Sequence, residues 1–131
     1  VSFVAFSPVA RGFLCGPLDV AAFDAKDIRR TMPRFSPENH AKNQALLPAY
    51  NALAAELGCT PSQLAIAWLL QQGDDILPIP GTTKLHRLVE NLGGAEIDLT
   101  AGDLAVIDSR LADIELTGDR YAPAAQAMIN R

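Results

Sequence analysis

At 131 residues the chain is long enough for one domain with a real core. It is 49% hydrophobic and 20% charged, an ordinary globular balance, and its net charge of −4 points away from nucleic acid and anionic membranes as partners. Two cysteines, Cys15 and Cys59, are too few for a disulfide framework and suit a reducing compartment, so a cytoplasmic location is expected.

Val1–Phe6 is apolar and β-prone and stops at Ser7-Pro8. Near-continuous apolarity suits a parallel strand covered on both faces. The chain opens directly in this run, without Met, which suggests a start inside a larger protein. No signal-peptide pattern and no apolar run of transmembrane length is present. From Ser7 to about Arg34 the chain reads as irregular, with Gly12, Gly16, Pro17 and Pro33. Segments of this length inside a domain are usually functional or mobile.

Ser36-Pro37 opens a helical region, an N-cap followed by proline in the first turn. Leu46, Tyr50, Leu53 and Leu57 form one stripe, Pro48 predicts a kink or a restart, and Gly58 a stop. Thr60-Pro61-Ser62-Gln63 is a capping box opening a helix over Leu64–Gln72 that is apolar nearly all round, hence deeply buried. Gly73 ends it, and Ile76–Ile79 reads as a strand, although Pro78 counts against a central one. Gly81 permits a tight turn, Thr83 is the expected N-cap, and a helix runs from about Lys84 to Leu92 before Gly93-Gly94. Thr100 caps a last helix carrying Leu104, Ile107 and Leu111, and the tail from Gly118 reads as loop. This order is α/β, with Val1–Ser7 and Ile76–Ile79 predicted as adjacent parallel strands.

A strand, a glycine turn and a helix N-terminus together present backbone N–H groups to an anion. On that helix Leu85, Leu88, Val89 and Leu92 share one face, expected to pack inward; Thr83, Arg87, Glu90 and Asn91 share the other. Arg87, at the fourth helical position, can fork onto a phosphate. An ordinary solvated helix face would show the same residue types. No catalytic or metal constellation is visible. Tyr50 lies on a core stripe, Tyr121 suits packing, Cys15 reads as buried or loop filler, and His40 and His86 read as surface histidines without metal-pair spacing. No nucleophile elbow appears.

Pro78-Ile79-Pro80-Gly81-Thr82-Thr83, with Arg87 and Glu90-Asn91-Leu92-Gly93, resembles the last strand and last barrel helix of the aldo-keto reductase superfamily. Phe6-Ser7-Pro8-Val9-Ala10-Arg11-Gly12 resembles that family's loop after its seventh strand, with Val9 and Ala10 in place of the usual Leu and Gly. Pro33-Arg34-Phe35, Glu38-Asn39 and Gly118-Asp119-Arg120-Tyr121 resemble further segments of one branch. The resemblance implies the C-terminal part of a (β/α)8 TIM barrel, the last two β/α units plus a C-terminal helix and loop, so that residues 1–131 are a fragment of one barrel domain. It implies NADPH as cofactor: Phe6 under the nicotinamide, Ser7, Pro8, Val9 and Arg11 around the pyrophosphate, Gly81, Thr83 and Arg87 at the 2′-phosphate, Glu90 and Asn91 at the adenine. The family's catalytic Tyr, Lys, Asp and His have no counterpart here. The expected activity is therefore that of a parent protein reducing aldehydes and ketones, completed by an N-terminal remainder of the barrel or another copy of the chain. A non-catalytic NADPH-binding sensor or subunit of the same fold, or a flavin-mononucleotide barrel, would share these features.

Overall fold

A computed structural model describes residues 1–129 of the chain. Two short apolar runs pair in parallel as expected: β1 (Phe3–Phe6) and β2 (Ile76–Ile79), in register from Phe3↔Ile76 to Phe6↔Ile79. The ladder is entered by the Phe3 amide, which donates to the Asp75 carbonyl at 2.7 Å. Pro78 stands opposite Ala5 in this register.

The chain divides into two compact units. The first joins Val1–Pro17 to Pro48–Asp113 and holds the sheet. Its centre is α3 (Pro61–Leu70), which packs on β2 and on the turn after β1. Thr60 accepts from the Gln63 amide, and Gln63 Oε1 accepts from the Thr60 amide at 3.0 Å, so the capping box forms as read. Leu64, Ala65, Ile66 and Ala67 are buried. Proline 48 restarts rather than kinks: α2 (Leu47–Glu56) begins one residue before it. A Schellman closure ends α2, with Cys59 N–H on Ala54 O and Gly58 N–H on Ala55 O, and Gly58 takes the left-handed φ of 69° that this closure requires. The Tyr50 hydroxyl donates to the Pro61 carbonyl at 2.8 Å, and burial pushes its pKa up, so it is a core residue. α4 (Leu85–Gly93) lies on α3. α5 (Ala101–Leu111) is opened by a Thr100–Asp103 capping box, buries Ile107, and is tied to α2 by Arg110–Glu56 at 2.8 Å. Fully burying Leu53, Leu64 and Ile107 stabilises this unit by about 1.5–3 kcal/mol each.

The second unit joins Leu18–Leu47 to the chain from Ile114 on. The segment that reads as irregular is built here from 3₁₀ turns at Val20–Ala22, Ile28–Thr31 and Pro33–Phe35. Asp19 and Asp27 cap the first two through their side chains. Asp27 also pairs with Arg29 at 2.6 Å, which holds its carboxyl at about 2, and the guanidinium lies 4.0 Å from the centre of the Phe23 ring. α1 (Pro37–Gln44) is capped by Ser36 as expected. The Asn43 side chain meets Thr117 twice, donating to its carbonyl at 3.0 Å and accepting from its amide at 2.8 Å, and Arg34 Nε donates to Gly118 O at 3.1 Å.

Three local expectations are corrected. His40 is buried, not superficial, and stacks on Phe35 with ring centroids 6.3 Å apart, because α1 turns His40 and Asn43 inward. Cys15 is exposed, which removes the buried half of its expectation and leaves the loop-filler half. The tail holds a helical turn, α6 (Pro123–Gln126), opened by a proline in its first turn. Among the described residues no single helix is long and apolar enough to cross a membrane.

Candidate functional site

Parallel pairing with Phe6 opposite Ile79 brings the ends of β1 and β2 together. The chain therefore leaves the sheet twice from one end, once as Ser7-Pro8 and once as Pro80-Gly81. Nearly all the residues singled out in the sequence lie on these two exits.

The first exit is a tight, left-handed turn. Ser7, Ala10 and Arg11 have φ of 53°, 51° and 58°, and Gly12 follows at 90°. Three non-glycine residues in this region within five positions are unusual, each costing about 1–3 kcal/mol. The Ala10 amide closes on Ser7 O at 2.9 Å and the Gly12 amide on Val9 O at 3.0 Å. Val9, with φ −103° and ψ 28°, precedes left-handed Ala10 and Arg11, so the backbone reverses direction within this turn. Ser7, Pro8, Val9 and Arg11 are half-buried, and Phe6 is 47% exposed. Ala10, which no site assignment included, stands where the resemblance expects glycine, and its φ shows why glycine is usual there.

The second exit corrects the cap. Lys84, not Thr83, occupies the N-cap of α4, and no side chain bonds the first-turn amides there. Thr82 Oγ1 instead accepts from the Lys84 amide at 3.1 Å, closing a turn that pulls the helix start one residue later. Arg87 is thereby the third helical residue, not the fourth. Gly81, Thr83, Lys84 and Arg87 are exposed. An uncapped helix start with a guanidinium on its first turn suits an anion.

The remaining expectation for α4 is inverted. Leu85, Leu88, Val89 and Leu92 are exposed, and Glu90 and Asn91 are half-buried. A Cβ on Gly94 would lie 3.0 Å from Ile66 Cβ and 3.2 Å from Gln63 O, so the bare backbone at the end of α4 lies close against α3.

The Aldo/keto reductase family profile matches residues 1–112. The chain belongs to the aldo-keto reductase family. An NADP(+)-named aldo-keto reductase of Schizosaccharomyces pombe is 40% identical over 133 residues, covering 98% of this chain. This chain spans only 38% of that relative's length. The solved structure of a glycerol dehydrogenase from Gluconobacter oxydans superposes with a TM-score of 0.68 at 23% identity, over 94% of this chain and 37% of its own. The fold is thus the C-terminal part of an aldo-keto reductase TIM barrel. Among the described residues no group of three or more His, Cys, Asp or Glu is arranged to hold a metal.

Proposed function

We propose that the complete protein is an NADPH-dependent aldo-keto reductase acting on aldehydes or ketones, and that this chain forms the phosphate-binding side of its cofactor site. The observation that carries this reading is the pair of adjacent strand ends. One delivers the left-handed Ser7–Gly12 turn, the other an uncapped helix start with Arg87 on its first turn. A turn of left-handed backbone and an uncapped helix start beside a guanidinium are features that suit phosphate, and a dinucleotide carries phosphates at two places. The NADP(+) in the relative's name supports the same cofactor.

In this reading the Val9–Arg11 backbone holds the pyrophosphate and Phe6 offers its ring to the nicotinamide. Arg87, with Lys84 beside it, neutralises the 2′-phosphate, while Thr83 and the backbone at Gly81 supply neutral contacts. Glu90 and Asn91 flank the adenine. When bound, NADPH supplies hydride to the carbonyl carbon, and a proton reaches the carbonyl oxygen from an acid carried outside this chain. The chain's own contribution is placement and charge. Two free thiols, exposed Cys15 and half-buried Cys59, are compatible with a reducing, cytoplasmic location.

The test is a titration of Arg87→Ala in the complete protein with each nicotinamide cofactor. A charge-assisted contact is worth about 1.5–3 kcal/mol, so NADPH binding weakens by roughly tenfold or more while NADH changes little. Glu90→Ala weakens both alike. Equal losses for NADPH and NADH in Arg87→Ala would make the residue structural and remove it from the site.

A further inference from the structure

Cys15 and Cys59 stand far apart in the chain but belong to the same compact unit. Cys15 ends the turn Ala10–Cys15 that follows β1, and Cys59 directly precedes Thr60, the cap of α3. The crossover between the strands brings these two places together. α3 ends at Leu70 and β2 starts at Ile76, so a short connection sets the end of the helix beside the start of the strand. Ten helical residues rise about 15 Å and four extended ones about 13 Å, so α3, running back along the sheet, starts level with the strand ends. From those ends β1 enters its turn, and the turn packs on α3. A third group lies at the same place. The Tyr50 hydroxyl donates to the Pro61 carbonyl at the head of α3. Burial raises its pKa most, and charge on Cys59 and on Cys15 raises it further. Both thiols are therefore within range of one phenol oxygen, roughly 10 Å at about 0.1 M salt.

We propose that Cys15 and Cys59 form an oxidisable dithiol, a modification site at which a peroxide closes a disulfide between the turn after β1 and the start of α3. The two thiols are unequal. Cys15 is exposed, whereas Cys59 is half-buried, with its Sγ 3.6 Å from the Ala54 carbonyl oxygen, and burial pushes its pKa up. The exposed thiol is the one that a peroxide reaches first. Its thiolate attacks one peroxide oxygen, the O–O bond breaks, and the other oxygen leaves with a proton as water, so Cys15 becomes a sulfenic acid. The Cys59 thiol then gives up its proton and attacks the Cys15 sulfur. The S–S bond forms, the S–O bond breaks, and the leaving hydroxide takes the proton as a second water. The Cα atoms of a disulfide stand about 4.4–6.8 Å apart, and the turn is free to reach that spacing. None of its residues is buried, and a Cβ added to Gly16, next to Cys15, would meet nothing within 4 Å. The turn so fastened is the one that the proposed function gives to the pyrophosphate, but the disulfide does not rest on that reading and forms without any cofactor.

The test treats the complete, reduced protein with hydrogen peroxide and maps its peptides by mass spectrometry. One cross-linked pair carrying Cys15 and Cys59 is expected, two hydrogens lighter than the separate peptides and released by dithiothreitol. Cys15→Ser and Cys59→Ser each lose this pair. In Cys59→Ser, dimedone, which captures sulfenic acids, labels Cys15, whereas in the parent the label is lost to the disulfide. The parent's own map decides the matter even where a substitution impairs folding. The proposal is overturned if both thiols stay free, or if Cys15 runs on to the sulfinic acid while Cys59 stays a thiol. It is overturned equally if either cysteine pairs with a different one, in the same molecule or another.

Discussion

Ala10 and His40 show how far a single residue's surroundings can override its type. Alanine has no intrinsic reason to be left-handed, yet Ala10 is held at φ 51° between two hydrogen-bonded turns at the end of β1. The strain sits where the chain is proposed to meet the pyrophosphate, as strained backbone often does. Histidine is ordinarily free to charge near neutrality, but burial lowers the pKa of His40 below its usual 6.5. The sign follows from linkage. The unfolded chain binds the proton more readily, so His40 contributes stability that is full above about pH 6.5 and is lost as pH falls below it. Asp27, held at about 2 by Arg29, acts in the same direction but only below about pH 4. Urea denaturation between about pH 5 and 6.5 therefore shows stability rising with pH, and His40→Gln flattens that slope. An unchanged slope in the variant would place the titrating group elsewhere.

Among the elements, α4 is the one whose placement decides most. Its start is set by Thr82, which turns the backbone so that Lys84 becomes the cap and Arg87 falls on the first turn. Its end is set by Gly94, which sits against Ile66 and the Gln63 carbonyl. Both neighbours belong to the well-buried, doubly capped α3 and have little room to retreat. Gly94→Ala accordingly loses about 1–2 kcal/mol, because the clash outweighs the helix propensity that alanine gains. The measurement is the denaturation midpoint at unchanged slope. A stabilised variant would mean that α4 does not rest on α3 through this glycine. In the second unit, glycine has a similar use at Gly118. With φ 91°, it brings its backbone to where a Cβ would lie 2.8 Å from Asn39 Nδ2 and 3.0 Å from the Pro33 carbonyl carbon.

At the scale of the whole chain, two parallel strands end side by side and carry the candidate cofactor contacts, but no residue assigned here supplies the acid for carbonyl reduction. Placement without an acid does not complete the reaction. The 131-residue chain by itself is therefore expected to show no oxidation of NADPH with an activated aromatic aldehyde. Turnover in rigorously pure chain, abolished by substituting one of its own residues, would show that the catalytic group lies inside it.

What the sequence determined by itself was whatever depends on near neighbours. Ser36, Thr60 with Gln63, and Thr100 with Asp103 cap helices within three residues, and Gly58 closes α2 because its left-handed φ is available to glycine without strain. The two apolar runs and the helical chain between them were enough to predict a parallel pair, since a short turn cannot join parallel strands. The motifs after those strands were legible because a backbone turn and a cap are local objects, although Thr82 displaced the cap by one residue. The burial of His40, the Asn43–Thr117 pairing across 74 residues, and the face by which α4 meets α3 were decided only in three dimensions. Hydrophobic periodicity marks which residues of α4 share a stripe, but not what stands opposite them. Gly94, whose missing Cβ lets the end of α4 come close to Ile66 and the Gln63 carbonyl, is a contact that periodicity does not reveal.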